Sequence, residues 1–143
     1  MNRKSRRSVR SSGGYTLLEI MVVLGIIAVL VGSAIHLLTG AINGAKMQRV
    51  DGDISTITSA LRMYEINNET LPTTLQGLAA LVTKPDTEPL PRRWTQLMSE
   101  VPQDPWQHPY VYVYPGKHNP SGFDIYSLGP QGIEGTDNIG NWK

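Results

Sequence analysis

Apolar and polar positions divide the chain into stretches of different rhythm. Residues 20–35 carry no charge, and only Gly25, Gly32 and Ser33 interrupt their apolar side chains. Read as a helix beginning at residue 15, this run spans about 31 Å, close to the hydrocarbon thickness of a bilayer. From Met47 the rhythm changes. Met47, Val50, Ile54, Ile57, Leu61 and Tyr64 recur at spacings of three and four, with Gln48, Arg49, Asp51, Asp53, Ser55 and Arg62 between them. This is the stripe of an amphipathic helix, one face packed and the other wet. No proline occurs between residues 1 and 71, so the two stretches read as one helix of roughly 80 Å, from about Tyr15 to about Asn67. Gly40 and Gly44 weaken it locally, and Asn67, Asn68 and the following Leu71-Pro72 supply the stop.

Beyond the stem, Pro72, Pro85, Pro89, Pro91, Pro102 and Pro105 limit helices to short pieces. Residues 74–83 predict one such piece, with Thr74 as N-cap and an apolar face of Leu75, Leu78, Ala79, Leu81 and Val82. Tyr110-Val111-Tyr112-Val113-Tyr114 then alternates aromatic and β-branched side chains, and Phe123-Asp124-Ile125-Tyr126-Ser127 follows across a loop containing Pro and Gly. The two runs predict antiparallel strands. Three tyrosines on one strand face suggest either a stacking platform for sugars or bases or a small sheet packed on a helix, and the second carries more weight. The fold class expected is α+β: a long N-terminal helix against a small C-terminal antiparallel sheet.

Charge adds a division that the net value of +1 hides. Arg3, Lys4, Arg6, Arg7 and Arg10 stand in the first 14 residues without an acid, whereas the other 129 residues hold 8 bases against 12 acids. The fold itself is mildly acidic, which argues against nucleic acid as a partner. The lack of cysteine removes disulfides, thiolate metal sites and a cysteine nucleophile together. His36, His108 and His118 are isolated, no Ser/His/Asp, zinc or phosphate-loop pattern surrounds them, and Asp51 and Asp53 do not face each other on a helix. The chain reads as a non-enzyme.

The basic leader ends at Gly13-Gly14, and Tyr15-Thr16-Leu17-Leu18-Glu19 opens the apolar run. A cleaved secretory signal would have a shorter apolar core and a better small-residue site than Thr39-Gly40-Ala41. A plain signal anchor fits the flanking charges, which place the leader in the cytoplasm and the C-terminal part outside, yet leaves Glu19 unexplained. An acid carried into a membrane is costly without a nearby cation. Cleavage between Gly14 and Tyr15 would create an α-amino group four residues before Glu19, and the same group on a neighbouring subunit offers the carboxylate a partner.

Gly14-Tyr15-Thr16-Leu17-Leu18-Glu19-Ile20-Met21-Val22-Val23 resembles the class III signal of type IV pilins and type II secretion pseudopilins. That resemblance implies cleavage by a prepilin peptidase after Gly14, N-methylation of Tyr15 and an assembly role for Glu19. Tyr15 stands where the family usually has phenylalanine, and His36 where pilin-like helices often have a proline near which the helix loosens on assembly. The resemblance extends through Leu71-Pro72-Thr73-Thr74-Leu75-Gln76-Gly77-Leu78, Val101-Pro102-Gln103-Asp104-Pro105-Trp106, Pro115-Gly116-Lys117-His118, Asp124-Ile125-Tyr126-Ser127-Leu128-Gly129 and Ile139-Gly140-Asn141-Trp142 to the major pseudopilins of type II secretion, the general secretion pathway protein G family.

The organisation implied is a cleaved basic leader (1–14), a transmembrane and assembly helix (15–36), an amphipathic stem helix (37–68), and a periplasmic globular region (69–143) with a short helix, a hairpin and a C-terminal loop. The function implied is that of the major structural subunit of a pseudopilus: a single-pass inner-membrane protein that assembles into a helical homo-oligomeric filament in the periplasm and drives export across the outer membrane. Its partners would be the prepilin peptidase, minor pseudopilins, the inner-membrane platform and the membrane. The alternatives are a type IV or competence-type pilin of a surface or DNA-uptake fibre, which commonly carries a C-terminal disulfide, and a membrane-tethered enzyme or sugar-binding module. The family also implies one calcium ion on the loop from Ser127 to Trp142. The matching positions are Leu128 through its main chain, Gln131, Asp137 and Asn138, with Gln131 and Asn138 replacing acids common in the family. Fewer carboxylates weaken calcium binding, and a metal-free loop closed by hydrogen bonds and Trp142 packing stays open beside it.

Overall fold

The computed structural model describes residues 14–135 and 138–142. The basic leader up to Gly13 and the loop residues Thr136 and Asp137 lie outside the described residues, as does the side chain of His36. Two compact units divide the chain, Met1–Ala41 and Ile42–Lys143. A single helix, α1 (Leu17–Asn68), contributes to both.

In the first unit α1 is long and apolar enough to cross a membrane, and none of that stretch is buried. Leu17, Leu24, Val29 and Leu30 are all more than half exposed. Ser33 and Thr39 turn their hydroxyls back onto the carbonyls of Val29 and Ile35, each at 2.9 Å, which keeps these polar atoms satisfied within the helix.

The second unit holds the buried core. Val50, Ile54, Ile57, Leu61 and Tyr64 of α1 are buried as their spacing predicts. Met47, expected to begin the same stripe, is instead 42% exposed, because the core begins one turn later at Val50. The helix ends at Asn68, where Glu69 adopts a left-handed conformation (φ 61) and its N–H bonds the Glu65 carbonyl at 2.7 Å. Buried Asn68 then donates to the Tyr64 carbonyl (3.0 Å) and accepts the Arg93 N–H (2.9 Å), tying the helix end to the returning chain.

The predicted helix over 74–83 does not form. Its place is taken by a turn and a short 3-10 helix, Leu78–Leu81, since Gly77 at φ 59 breaks the α geometry. Thr73 rather than Thr74 makes the cap-like pair: its hydroxyl accepts the Gln76 N–H (3.2 Å) while the Gln76 carbonyl Oε1 accepts the Thr73 N–H (3.1 Å). The Thr74 hydroxyl instead bridges the Tyr114 main chain, donating to its carbonyl at 3.0 Å and accepting its N–H at 2.9 Å.

Strands β1 (Val111–Val113), β2 (Asp124–Ser127) and β3 (Ile139–Gly140) form an antiparallel sheet in that order. Tyr112 pairs with Ile125, and Tyr126 with Gly140. The first two strands fall within the predicted runs. The third is too short to announce itself by alternation. Tyr112, Phe123 and Ile125 bury against the α1 stripe, together with Leu78 and Leu81. The Tyr112 and Phe123 rings lie 6.0 Å apart at 41°.

Candidate functional site

At the start of α1 the Thr16 hydroxyl accepts the Glu19 N–H at 3.3 Å, which satisfies one of the free donors of the first turn. Gly14 and Tyr15 precede the helix in irregular backbone and are exposed. Glu19 is exposed one turn further on, and among the described residues no base forms an ion pair with it. An acid in the first turn also complements the positive end of the helix dipole. Gly14, Tyr15 and Glu19 thus lie within six consecutive residues, beside a helix surface that is exposed among the described residues.

Two of the three alternating tyrosines are not free to stack on a ligand. Tyr110 and Tyr112 are buried, and their hydroxyls are committed to the Asp53 carboxylate (2.9 Å) and the Pro72 carbonyl (2.8 Å). Burial and the hydrogen bond to the negatively charged Asp53 both push the Tyr110 phenol well above its ordinary range.

The C-terminal loop leaves β2 at Leu128, which is half-buried, and passes the exposed Gln131. Gly129 (φ 70) and Gly132 (φ 65) take left-handed conformations. The loop closes on itself: Gly129 donates to the Ser127 hydroxyl (3.0 Å), Gly132 to the Gly129 carbonyl (3.2 Å), and Gly135 to Asn138 Oδ1 (3.3 Å). Tyr126 donates from its hydroxyl to Glu134 at 3.2 Å.

Calcium takes six to eight oxygen ligands with carboxylates among them. Leu128, Gln131 and Asn138 supply only neutral oxygens, one of them already engaged, and Asp137 lies outside the described residues. Among the described residues no group of three or more His, Cys, Asp or Glu is placed to hold a metal.

Two buried carboxylates do organise this end of the fold, and sequence reasoning assigned neither. Asp104 accepts the N–H groups of Trp106 (3.0 Å) and His108 (2.8 Å) and the Ser127 hydroxyl (2.5 Å). An aspartate opening an Asp-Pro turn was its available signal. Asp124 accepts the His118 N–H (2.8 Å), the Asn119 N–H (3.0 Å) and the Asn119 amide (3.1 Å), and lies 3.2 Å from His118 Nδ1. Burial raises its pKa, but the hydrogen bonds from His118, Asn119 and the Lys117 main chain outweigh that and hold it below the usual carboxylate range. Trp142 stacks on His118 at 3.8 Å and meets Tyr126 edge-on at 5.3 Å. Gly140 makes room for that indole, since a Cβ there would come 2.5 Å from its ring.

Comparison with known proteins decides between the filament classes. The family model for type II secretion system (T2SS), protein G matches residues 37–142, and that for the prokaryotic N-terminal methylation motif matches residues 9–35. The chain belongs to the type II secretion system protein G family. It is 43% identical over 139 residues to type II secretion system core protein G of Pseudomonas aeruginosa, covering 93% of this chain and 96% of that protein. It is 44% identical to the protein of the same name from Klebsiella michiganensis, with 99% and 96% covered. The crystal structure of the major pseudopilin from the type 2 secretion system of enterohaemorrhagic Escherichia coli shares 42% identity and a TM-score of 0.68, covering 73% of this chain and 93% of that one. Protein G chains are structural pseudopilin subunits, and neither a surface-fibre pilin nor a tethered sugar-binding module is favoured by these matches.

Proposed function

We propose that this chain is the major subunit of a type II secretion pseudopilus, processed between Gly14 and Tyr15, methylated at Tyr15 and held in the inner membrane until assembly. Its action is structural, with no catalytic step of its own. The observation that carries this reading is the first half of α1: its apolar side chains, from Leu17 to Leu38, are exposed in the isolated chain. Exposed apolar area of this extent needs lipid or other helices around it. Lipid serves the stored subunit and neighbouring α1 helices serve the filament, so the same surface supports both states.

Glu19 sets the register in this scheme. Inside a bundle of apolar helices its carboxylate needs a cation, and the α-amino group at Tyr15 of an adjacent subunit, created by cleavage, supplies one. Filament growth from the membrane outward, with the second unit in the periplasm, then pushes cargo toward the outer membrane. The prepilin peptidase, minor pseudopilins and inner-membrane platform complete the partner set. The C-terminal loop takes calcium weakly, with Asp137 as its one carboxylate ligand and Leu128, Gln131 and Asn138 as neutral donors.

Mass spectrometry of the mature chain, together with Glu19→Ala, tests the proposal. The expected N-terminus is methylated Tyr15, and the variant is expected to be cleaved but not to cross-link between subunits into filaments. An intact Met1, cleavage elsewhere, or filaments of normal yield from Glu19→Ala would each overturn the corresponding step.

A further inference from the structure

We infer that the loop leaving β2 is held by a clamp of protein side chains, built from Asp104, Ser127 and His108, that sets its conformation independently of any metal. The inference goes beyond the calcium reading above and stands with or without it. A calcium ion orders a loop by drawing oxygen ligands together, and the number of charged ligands tunes how tightly it does so. Gln131 and Asn138 are neutral, and Asn138 Oδ1 already accepts the Gly135 N–H. Closing this loop falls to other groups, and the turn over residues 103–109 presents them.

That turn is fixed before the loop reaches it. The Asp104 N–H donates to the His108 carbonyl and the Gln107 N–H to the Asp104 carbonyl, both at 2.9 Å, and Gln103 bridges Pro109. Asp104 is 2% exposed and closes the turn from inside, with Oδ1 accepting the Trp106 and His108 N–H groups. Its Oδ2 is left for the loop. Oδ2 accepts the Ser127 hydroxyl, and Ser127 Oγ accepts the Gly129 N–H, so the loop starts from Asp104 through one fully buried hydroxyl.

His108 supplies the second hold. Its ring occupies the space that a side chain at position 132 would need: a Cβ on Gly132 would come 2.7 Å from Nε2 and 2.9 Å from Cε1. The other ring nitrogen, Nδ1, is buried without a hydrogen-bond partner and faces Asp104 Oδ2 at 3.7 Å, too far for a bond. A buried polar atom left unpaired is costly, so packing against Gly132, and not its own hydrogen bonding, holds the ring there. From Gly129 to Gly135 only Gly129 and Gly132 are not exposed. These two glycines are where the loop meets the fold. One reaches Asp104 through Ser127, and the other meets His108 directly.

The test is hydrogen exchange, read by mass spectrometry on the full chain in detergent micelles with EGTA, comparing peptides over residues 127–138 with peptides over the buried stem, 50–64. In wild type the loop peptides are expected to be protected in EGTA. His108→Ala, which removes the hold from the turn, and Gly132→Ala, which displaces it from the loop, should each speed their exchange about tenfold, with the stem peptides unchanged. His108→Asn, which can still donate toward Asp104, should recover part of the protection. The 15N NMR signature of wild-type His108 should show the proton on Nδ1, the nitrogen that faces the carboxylate. A loop that gains protection only when calcium is added, full protection in both alanine variants, acceleration of loop and stem together in both, or a proton on Nε2 would overturn the inference. Asp137→Ala tests the calcium reading separately: it should leave protection in EGTA intact and remove only what added calcium contributes.

Discussion

Replacing Asp124 by Asn removes one negative charge and one acceptor from the most connected carboxylate of the fold. Asp124 is 1% exposed, so water cannot take over any bond it loses. Its Oδ2 accepts the His118 N–H and its Oδ1 accepts the Asn119 N–H and side-chain amide. An asparagine can present its carbonyl to only one of these two sides, and its own NH2 then faces a buried donor on the other. The change weakens one charge-assisted bond and strands one N–H, together costing about 3 kcal/mol. For a unit of this size, that corresponds to a melting temperature lower by roughly 15 °C.

The assay is urea and thermal denaturation of residues 42–143, the unit that carries the whole described core. The pH dependence gives a second readout. Because the folded-state pKa of Asp124 is depressed, its contribution is fully present above the unfolded value of about 3.9 and is lost as pH falls through the lower folded value. Wild type and Asp124→Asn are therefore expected to differ by a constant amount from neutral pH down to about 5, and the gap is expected to narrow as pH falls below about 4. A variant within about 0.5 kcal/mol of wild type at pH 7, or a gap that persists unchanged at low pH, would refute the reasoning.

Leu61→Ala empties a fully buried position between the stem and the sheet and should lower stability in the same denaturation assay by about 2–5 kcal/mol. Gly132→Ala forces a side chain at φ 65 and brings its Cβ 2.7 Å from His108 Nε2; the expected loss is about 1–3 kcal/mol. In a His108→Ala background the steric part of that loss should disappear while the backbone part remains. Calcium added to residues 42–143 should raise the melting temperature only at about millimolar concentration, and Asp137→Ala should abolish the rise. No shift at any such concentration would remove the site.

What the chain reveals without its fold is what depends on local order. The uncharged run over residues 20–35, the acid at Glu19 and the three-four spacing from Val50 to Tyr64 are properties of consecutive residues, and a helix translates them directly into faces and lengths. The stop at Asn68 and the two longer strands follow for the same reason.

Tertiary structure decided the rest. Thr74 looked like a cap because it precedes an apolar run, but the Tyr114 main chain, 40 residues away, claimed its hydroxyl. Tyr110 and Tyr112 alternate as a strand should, yet whether their rings faced a ligand or the core was settled by Asp53 and Pro72. Asp104 and Asp124 became buried hubs only because distant donors converge on them, and β3 exists only because β2 offers it an edge. Local periodicity sets which surfaces a segment has. Which partner covers each surface depends on contacts far apart in sequence, and the apolar half of α1 is left exposed among the described residues.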